Sequence, residues 1–241
     1  MAKKNKITFS DRIKSILKAA LKFILLFLVL SVVVVFLLRW INPVTSSIMI
    51  QRQISALIEG DFRFISYIWI SYDNVSPELP IAIVAAEDQN FPNHFGFDFD
   101  QIEKALEQHE RGRKLRGAST ITQQVAKNLF LWEGRSFIRK GIEAYFTVLI
   151  ELLWDKKRIL EVHLNIAEMG DLIFGAGAAS FIHFRKTPDK LTRSQAALLT
   201  ATLPNPKRYS ASRPSNYMLR RQAWIIRQVN ALGGKNYLKD L

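Results

Sequence analysis

The chain has 241 residues, with 34 Lys and Arg against 21 Asp and Glu and a formal charge of +13. That length leaves room for one anchoring segment and a single domain of about 200 residues, enough to bury a real core. The absence of cysteine excludes a disulfide framework and any thiolate zinc or redox site, while the charge points to an anionic partner or surface without saying which.

In chain order, the first element is a basic tail. Lys3, Lys4, Lys6, Arg12, Lys14, Lys18 and Lys22 face one acid, Asp11, and the sixteen residues from Phe23 to Leu38 carry no charge. At about 1.5 Å per residue that run covers roughly 24 Å, short for a full crossing. Extending it from Ala19 to Ile41 gives twenty-three residues, with Lys22 and Arg39 placed to snorkel and Trp40 placed at an interface. The expectation is a cytoplasmic tail over 1–18 and a transmembrane helix over 19–41. The positive-inside rule puts the N-terminus in the cytoplasm and exports the rest, 42–241. No small-residue cleavage site follows the apolar run, which predicts an uncleaved signal anchor. A buried core helix is the alternative, and the run lacks the polar face that such a helix alternates with.

Residues 42–241 hold 26 Lys and Arg against 20 Asp and Glu, so the exported part is itself basic. That suits work on anionic lipid at a membrane surface; nucleic acid is not expected on the far side of the membrane. Residues 42–80 look like a connector, with helical character over Ser47 to Ile58 and an alternating aromatic stretch from Phe62 to Tyr72 that predicts a short strand. From Ile81 onward helical signals dominate. Asp100 with Glu103, Thr120 with Gln123 and Thr192 with Gln195 each have the capping-box spacing before an apolar-periodic run. The long stretch from Phe137 to Asn165 reads as two helices broken near Asp155, and Pro204 and Pro206 end the helix that starts after Thr192. The predicted fold class is mainly α, in one domain behind one transmembrane helix. The phenylalanines at 91, 95, 97 and 99 have two readings, a contact with membrane or a satisfied core.

Four segments carry candidate chemistry. Glu87 and Asp88 are adjacent acids at the end of an apolar stretch, ahead of a loop holding Phe91, His94 and Gly96. Acids at the lip of an apolar element suit general acid–base work, because burial raises a carboxyl pKa towards neutrality; the alternative is a helix C-terminus with solvated acids. In the second segment Gly117, Ser119, Thr120, Gln123 and Gln124 crowd a predicted helix N-terminus, with Lys127 and Asn128 about two turns on. Backbone N–H groups, hydroxyls and the helix dipole at such a place can hold a phosphate, although an ordinary N-cap also explains Thr120. The third puts Arg135, Arg139, Lys140 and Glu143 within nine residues. Arg139 and Glu143, four apart, would also fit a surface ion pair worth about 0.3–0.5 kcal/mol. The fourth runs from Lys156 to Asn165, where Glu161 buried against a base reads as scaffold.

In order and spacing these four segments resemble the family 51 glycosyltransferases, the domain of bifunctional penicillin-binding proteins and of monofunctional peptidoglycan transglycosylases. The resemblance rests on Glu87-Asp88 with Phe91, His94 and Gly96; on Gly117, Ser119 to Gln124 and Lys127-Asn128; on Arg139-Lys140 with Glu143; and on Lys156, Ile159 to Glu161, Leu164-Asn165 and Gly170. It covers roughly residues 45 to 230, including Leu203 to Pro206. His163 stands where relatives usually carry tyrosine, and Ser180 to Phe184 replaces a more aromatic and Ala-rich version, both departures expected to affect local packing only. No transpeptidase region follows Pro206, so the monofunctional class is implied, and the Ser15 to Lys18 match to Ser-x-x-Lys is accidental.

The resemblance implies a lysozyme-like fold and, as substrate, lipid II, the undecaprenyl-pyrophosphate-linked disaccharide-pentapeptide, which the enzyme adds to a lipid-linked glycan chain in the bacterial inner membrane. It implies that Glu87 takes the proton from the attacking sugar hydroxyl, with Glu143 as the second catalytic acid. Ser119, Thr120, Lys127, Arg135, Arg139 and Lys140 would hold pyrophosphate, and Asp88, Phe91, His94, Gln123, Gln124 and Asn128 would complete the substrate site. A divalent cation, Mg2+ or Mn2+, is common in the family; no organic cofactor is expected, and other cell-wall synthesis proteins are candidate partners. The competing readings are a lysozyme-like enzyme that cleaves peptidoglycan and a non-catalytic scaffold of the cell-wall machinery. Cleavage of a sugar–sugar bond releases no pyrophosphate for the bases to neutralise, and a scaffold has no use for both Glu87 and Glu143.

Overall fold

The computed structural model describes residues 9–110, 119–134 and 136–241. It forms two compact units, Met1–Ile41 and Asn42–Leu241. The first contains one helix, α1 (Phe9–Leu37), long and apolar enough over Arg12–Leu37 to cross a membrane, and its apolar side chains are largely exposed. The helix stops four residues before Ile41, in a turn over 38–40 ahead of Asn42-Pro43. Proline disfavours helical backbone in the residue before it, which puts a boundary near this point.

The second unit is a set of helices around α3 (Glu78–Glu87). Between its terminal acids α3 carries no charge, and Leu79 to Ala85 are all buried, so it has no solvent face. A helix that is apolar all round must be surrounded. Against it pack α9 (Arg193–Thr202) and α10 (Asn216–Ala231). Beside it, α5 (Ile121–Phe130) packs against α6 (Phe137–Leu153) and α7 (Lys156–Ile166). The break between α6 and α7 falls at Asp155, whose carboxylate caps α7 by accepting from Arg158 N, as its sequence predicts. The remaining helices are α2 (Ser47–Ile58), α4 (Phe99–Glu110) and α8 (Gly175–Phe184).

Three sequence expectations need correction. Residues 42–80 are part of the folded unit and not a connector: α2 packs on α5, and its buried Arg52 donates to Glu168 and Asp171 at 2.9–3.1 Å. The strand expected over Phe62 to Tyr72 is two residues long, β1 (Ser66–Tyr67), parallel to β3 (Ile173–Phe174), which also pairs with β2 (Glu168–Gly170). Its partner is itself two residues long, which limits the ladder whatever the sequence pattern. The cap of α4 is Asp98, which accepts from Gln101 N at 3.0 Å, and not Asp100. Of the phenylalanines in this region, Phe91 belongs to the core while Phe95 and Phe99 are exposed.

Candidate active site

Glu87 is the last residue of α3, and the chain turns away immediately, with Asp88 at φ −159° and ψ 75°. A carboxylate at a helix C-terminus faces the negative end of the dipole, which disfavours it, so its partners matter. They are Gln124 Nε2, donating to Oε2 at 3.2 Å, and Arg221 of α10, donating to Oε1 at 3.3 Å. Both distances are at the long end for hydrogen bonds, leaving the carboxylate loosely held. Glu87 lines an open cleft of about 1370 Å³, larger than a usual small-molecule pocket of about 300–1,000 Å³.

The cation side of the cleft is built from α5 and α6. Thr120 caps α5, accepting from Gln123 N, while Gln123 Oε1 accepts from Thr120 N to complete the predicted capping box. The fixed helix presents Gln124, Lys127 and Asn128 to the cleft at spacings of three and four residues. The Lys127 ammonium has no hydrogen bond or ion pair with any described residue. Burial lowers its pKa from the ordinary lysine value; Glu143 opposes that shift and Arg139 adds to it. Such an ammonium is better satisfied by an incoming anion than by anything around it in the free protein.

Ser136 caps α6 by accepting from Arg139 N at 3.1 Å. One turn in, the buried Glu143 accepts from Arg139 Nη1 at 2.7 Å and from Lys140 Nζ at 2.5 Å. Each of its oxygens is thus engaged, and the two cations are aimed into the cleft with it. The loop before α6 is fixed by Gln51 of α2, which donates to Leu131 O at 2.9 Å and accepts from Glu133 N at 2.8 Å, so one side chain imitates a paired peptide. Trp132 and Glu133 on this loop form part of the rim.

Of the residues expected to touch substrate, Glu87, Ser119, Gln123, Gln124, Lys127, Asn128, Arg139, Lys140 and Glu143 line this cleft. Arg135 lies outside the described residues, as do Arg116 and Gly117. Asp88, Phe91, His94 and Thr120 do not line it, for a visible cause. Asp88 points away from Glu87 because the helix ends between them; it is 6 % exposed and accepts from Ile121 N at 2.9 Å and from His94 Nε2 at 2.9–3.0 Å. Thr120 donates its hydroxyl to Gly96 O at 2.7 Å. Behind them Lys156 Nζ donates to His94 O at 2.6 Å and to Glu151 Oε1 at 2.8 Å, and stands 4.7 Å over the Phe91 ring. These four residues form a buried knot that holds the end of α3 against the start of α5.

Sequence reasoning overlooked the α10 side of the cleft. Arg220, Arg221, Trp224 and Tyr217 line it, together with Asn205 and Lys207 from the segment after α9. The local signal was the pair Arg220-Arg221 on an amphipathic helix, which by itself reads as a solvated face. The described residues contain no group of three His, Cys, Asp or Glu able to hold a metal ion, and the oxygens of Glu87 and Glu143 already face cations or an amide. Among the described residues, then, no ready-made set of protein ligands for Mg2+ or Mn2+ stands at the cleft.

A family model described as Transglycosylase matches residues 61–230. Among curated proteins the chain is similar to the biosynthetic peptidoglycan transglycosylase of Escherichia coli strain Crooks, at 55% identity over 197 residues, 81% of this chain and 81% of the relative. It is similar to the protein of the same name from Mannheimia succiniciproducens at 50% identity over 240 residues, 99% of this chain and 95% of the relative.

Proposed function

The chain belongs to the transglycosylase family, and on that premise we propose that its cleft joins lipid-linked disaccharides into peptidoglycan strands with Glu87 as the base. The activity is peptidoglycan transglycosylation, the polymerisation of glycan for the cell wall. What carries the residue assignment is the composition of one cleft: a loosely held carboxylate, Glu87, and an unpartnered ammonium, Lys127, line the same space with Arg139 and Lys140.

The acceptor GlcNAc 4-hydroxyl gives its proton to Glu87, its oxygen bonds to the anomeric carbon of the donor MurNAc, and the bond from that carbon to the pyrophosphate oxygen breaks. The leaving undecaprenyl pyrophosphate keeps the electron pair, and inversion gives a β-1,4 link. A base is needed because a sugar hydroxyl is a weak nucleophile, and cations are needed where the leaving charge develops. Lys127, Arg139 and Lys140, with the Ser119 hydroxyl, are suited to the pyrophosphate. Glu143 orients Arg139 and Lys140 and keeps them from repelling one another. Arg221 supplies positive charge beside Glu87, offsetting the unfavourable helix end.

The N-terminal apolar helix fits a single-pass membrane anchor. Its basic flank supports a cytoplasmic N-terminus and an inner-membrane location, with the catalytic unit on the periplasmic side, where the lipid-linked substrate is polymerised. Other cell-wall synthesis proteins are the partners this location brings within reach.

The test is incubation of the purified full chain with labelled lipid II, separating polymer from fragments. Polymer is expected, and Glu87→Gln should abolish it while lipid II still binds. Full polymerisation by Glu87→Gln overturns the base, and cleavage of preformed glycan without polymerisation overturns the reaction.

A further inference from the structure

His163 of α7 is wholly buried behind the cleft, and no step above uses it. Its Nε2 lies 3.1 Å from Gln124 Oε1, and the other end of that amide donates from Nε2 to Glu87 Oε2 at 3.2 Å. Its Nδ1 is buried with no hydrogen-bond partner among the described residues. The chain of contacts has one self-consistent arrangement. An ionised carboxylate only accepts, so the amide NH2 faces Glu87; the amide oxygen then faces His163 and also only accepts, so the imidazole proton sits on Nε2. Burial, and after it the Lys127 ammonium, lowers the His163 pKa to about 4, so the ring is neutral at neutral pH and Nδ1 carries no stranded proton.

We propose that His163 is a positioning residue for glycosyl transfer: its Nε2–H fixes the Gln124 amide, which engages Glu87 Oε2, so that Oε1, whose one partner is the long contact from Arg221, takes the acceptor proton. This rests on Glu87 being the base. Without the anchor, Gln124 can rotate about its side chain and turn its oxygen toward the carboxylate, so Glu87 loses both a donor and a fixed rotamer. A misplacement of about 1 Å costs on the order of 100-fold in rate, which sets the upper end of the expected effect. The charge that acts on the ring is Lys127, which the pyrophosphate would partly neutralise once substrate is bound.

The experiment measures polymerisation by the full chain with His163→Leu and His163→Gln. Leucine removes the donor, and kcat is expected to fall roughly 10- to 100-fold with KM unchanged. Glutamine puts an N–H donor near the position of Nε2 and is expected to recover most of that loss. In a Gln124→Ala background His163→Leu is expected to cost nothing more, because its effect passes through Gln124. Further loss in that background, equal losses in the leucine and glutamine variants, or a raised KM at unchanged kcat overturns the proposal. Nitrogen-15 shifts of His163 in the wild-type chain give a test independent of any variant: protonated Nε2 is expected, and protonated Nδ1 overturns it. Failure of the base itself reads differently, as full activity in Glu87→Gln.

Discussion

Replacing Asp88 by alanine separates a scaffold from a substrate contact, because the carboxylate is 2 % exposed and faces inward. The change leaves Ile121 N–H, now bonded to Asp88 Oδ2 at 2.9 Å, buried without an acceptor. That costs about 1–3 kcal/mol. It also removes a negative charge from the N-terminus of α5, worth about 0.5–1 kcal/mol, and deprives His94 of its hydrogen-bonded partner. Together these give a loss of about 3 kcal/mol, which for a unit of this size lowers the unfolding temperature by roughly 6–12 °C. Thermal unfolding of the full chain in detergent, followed by circular dichroism, reads the first quantity. Lipid II affinity, measured well below the transition, reads the second and is expected to stay near wild type. Asp88→Asn keeps an oxygen for Ile121 and is expected to recover part of the stability. Lost affinity with an unchanged unfolding temperature would refute the scaffold assignment and return Asp88 to the substrate site.

Lys127→Met removes a partly buried, unpartnered cation, so thermal unfolding should occur at a higher temperature while lipid II binding weakens; unchanged turnover at limiting lipid II would argue against the pyrophosphate role. His163 is depressed from 6.5 to about 4 in the folded chain, so the unfolded state binds the extra proton first as pH falls. Its contribution is fully present above pH 6.5 and lost on the way down to pH 4, by at most about 3 kcal/mol. Chemical denaturation of wild type and His163→Gln across that window checks this: wild type should lose stability relative to the variant as pH falls from 6.5 to 4, and parallel curves would contradict it. Arg221→Ala leaves Glu87 without its cation at a helix C-terminus, and the lipid II assay should register a lower kcat; an unchanged kcat would remove Arg221 from the site.

Much of the helical plan was legible because helix ends are local events. Asp155 ends one helix and caps the next, and the Thr120 and Thr192 boxes form as their spacing requires. The Asp98 cap was hidden because Asp98 with Gln101 and Asp100 with Glu103 present the same pattern two residues apart. Glu87 was legible as an acid closing an apolar run. Its neighbour was not, since adjacent residues at a helix end point in different directions once the backbone leaves the helix. Arg221 and the role of His163 were out of reach for another reason. Each acts on a residue far along the chain, Arg221 on Glu87 and His163 on Gln124, through helix packing that no local pattern encodes.

The unbroken apolar surface of α3 also bears on the export that the proposed topology requires. Between Glu78 and Glu87 lie eight residues without charge, less than half the roughly 20 needed to span hydrocarbon. A translocating, unfolded chain would therefore present the export machinery with one segment to retain and a second that is greasy but too short to lodge. On the proposed periplasmic topology, the same brevity would let the central helix pass through the membrane and make it dependent, once across, on early pairing with α9 and α10, which lie more than a hundred residues behind it.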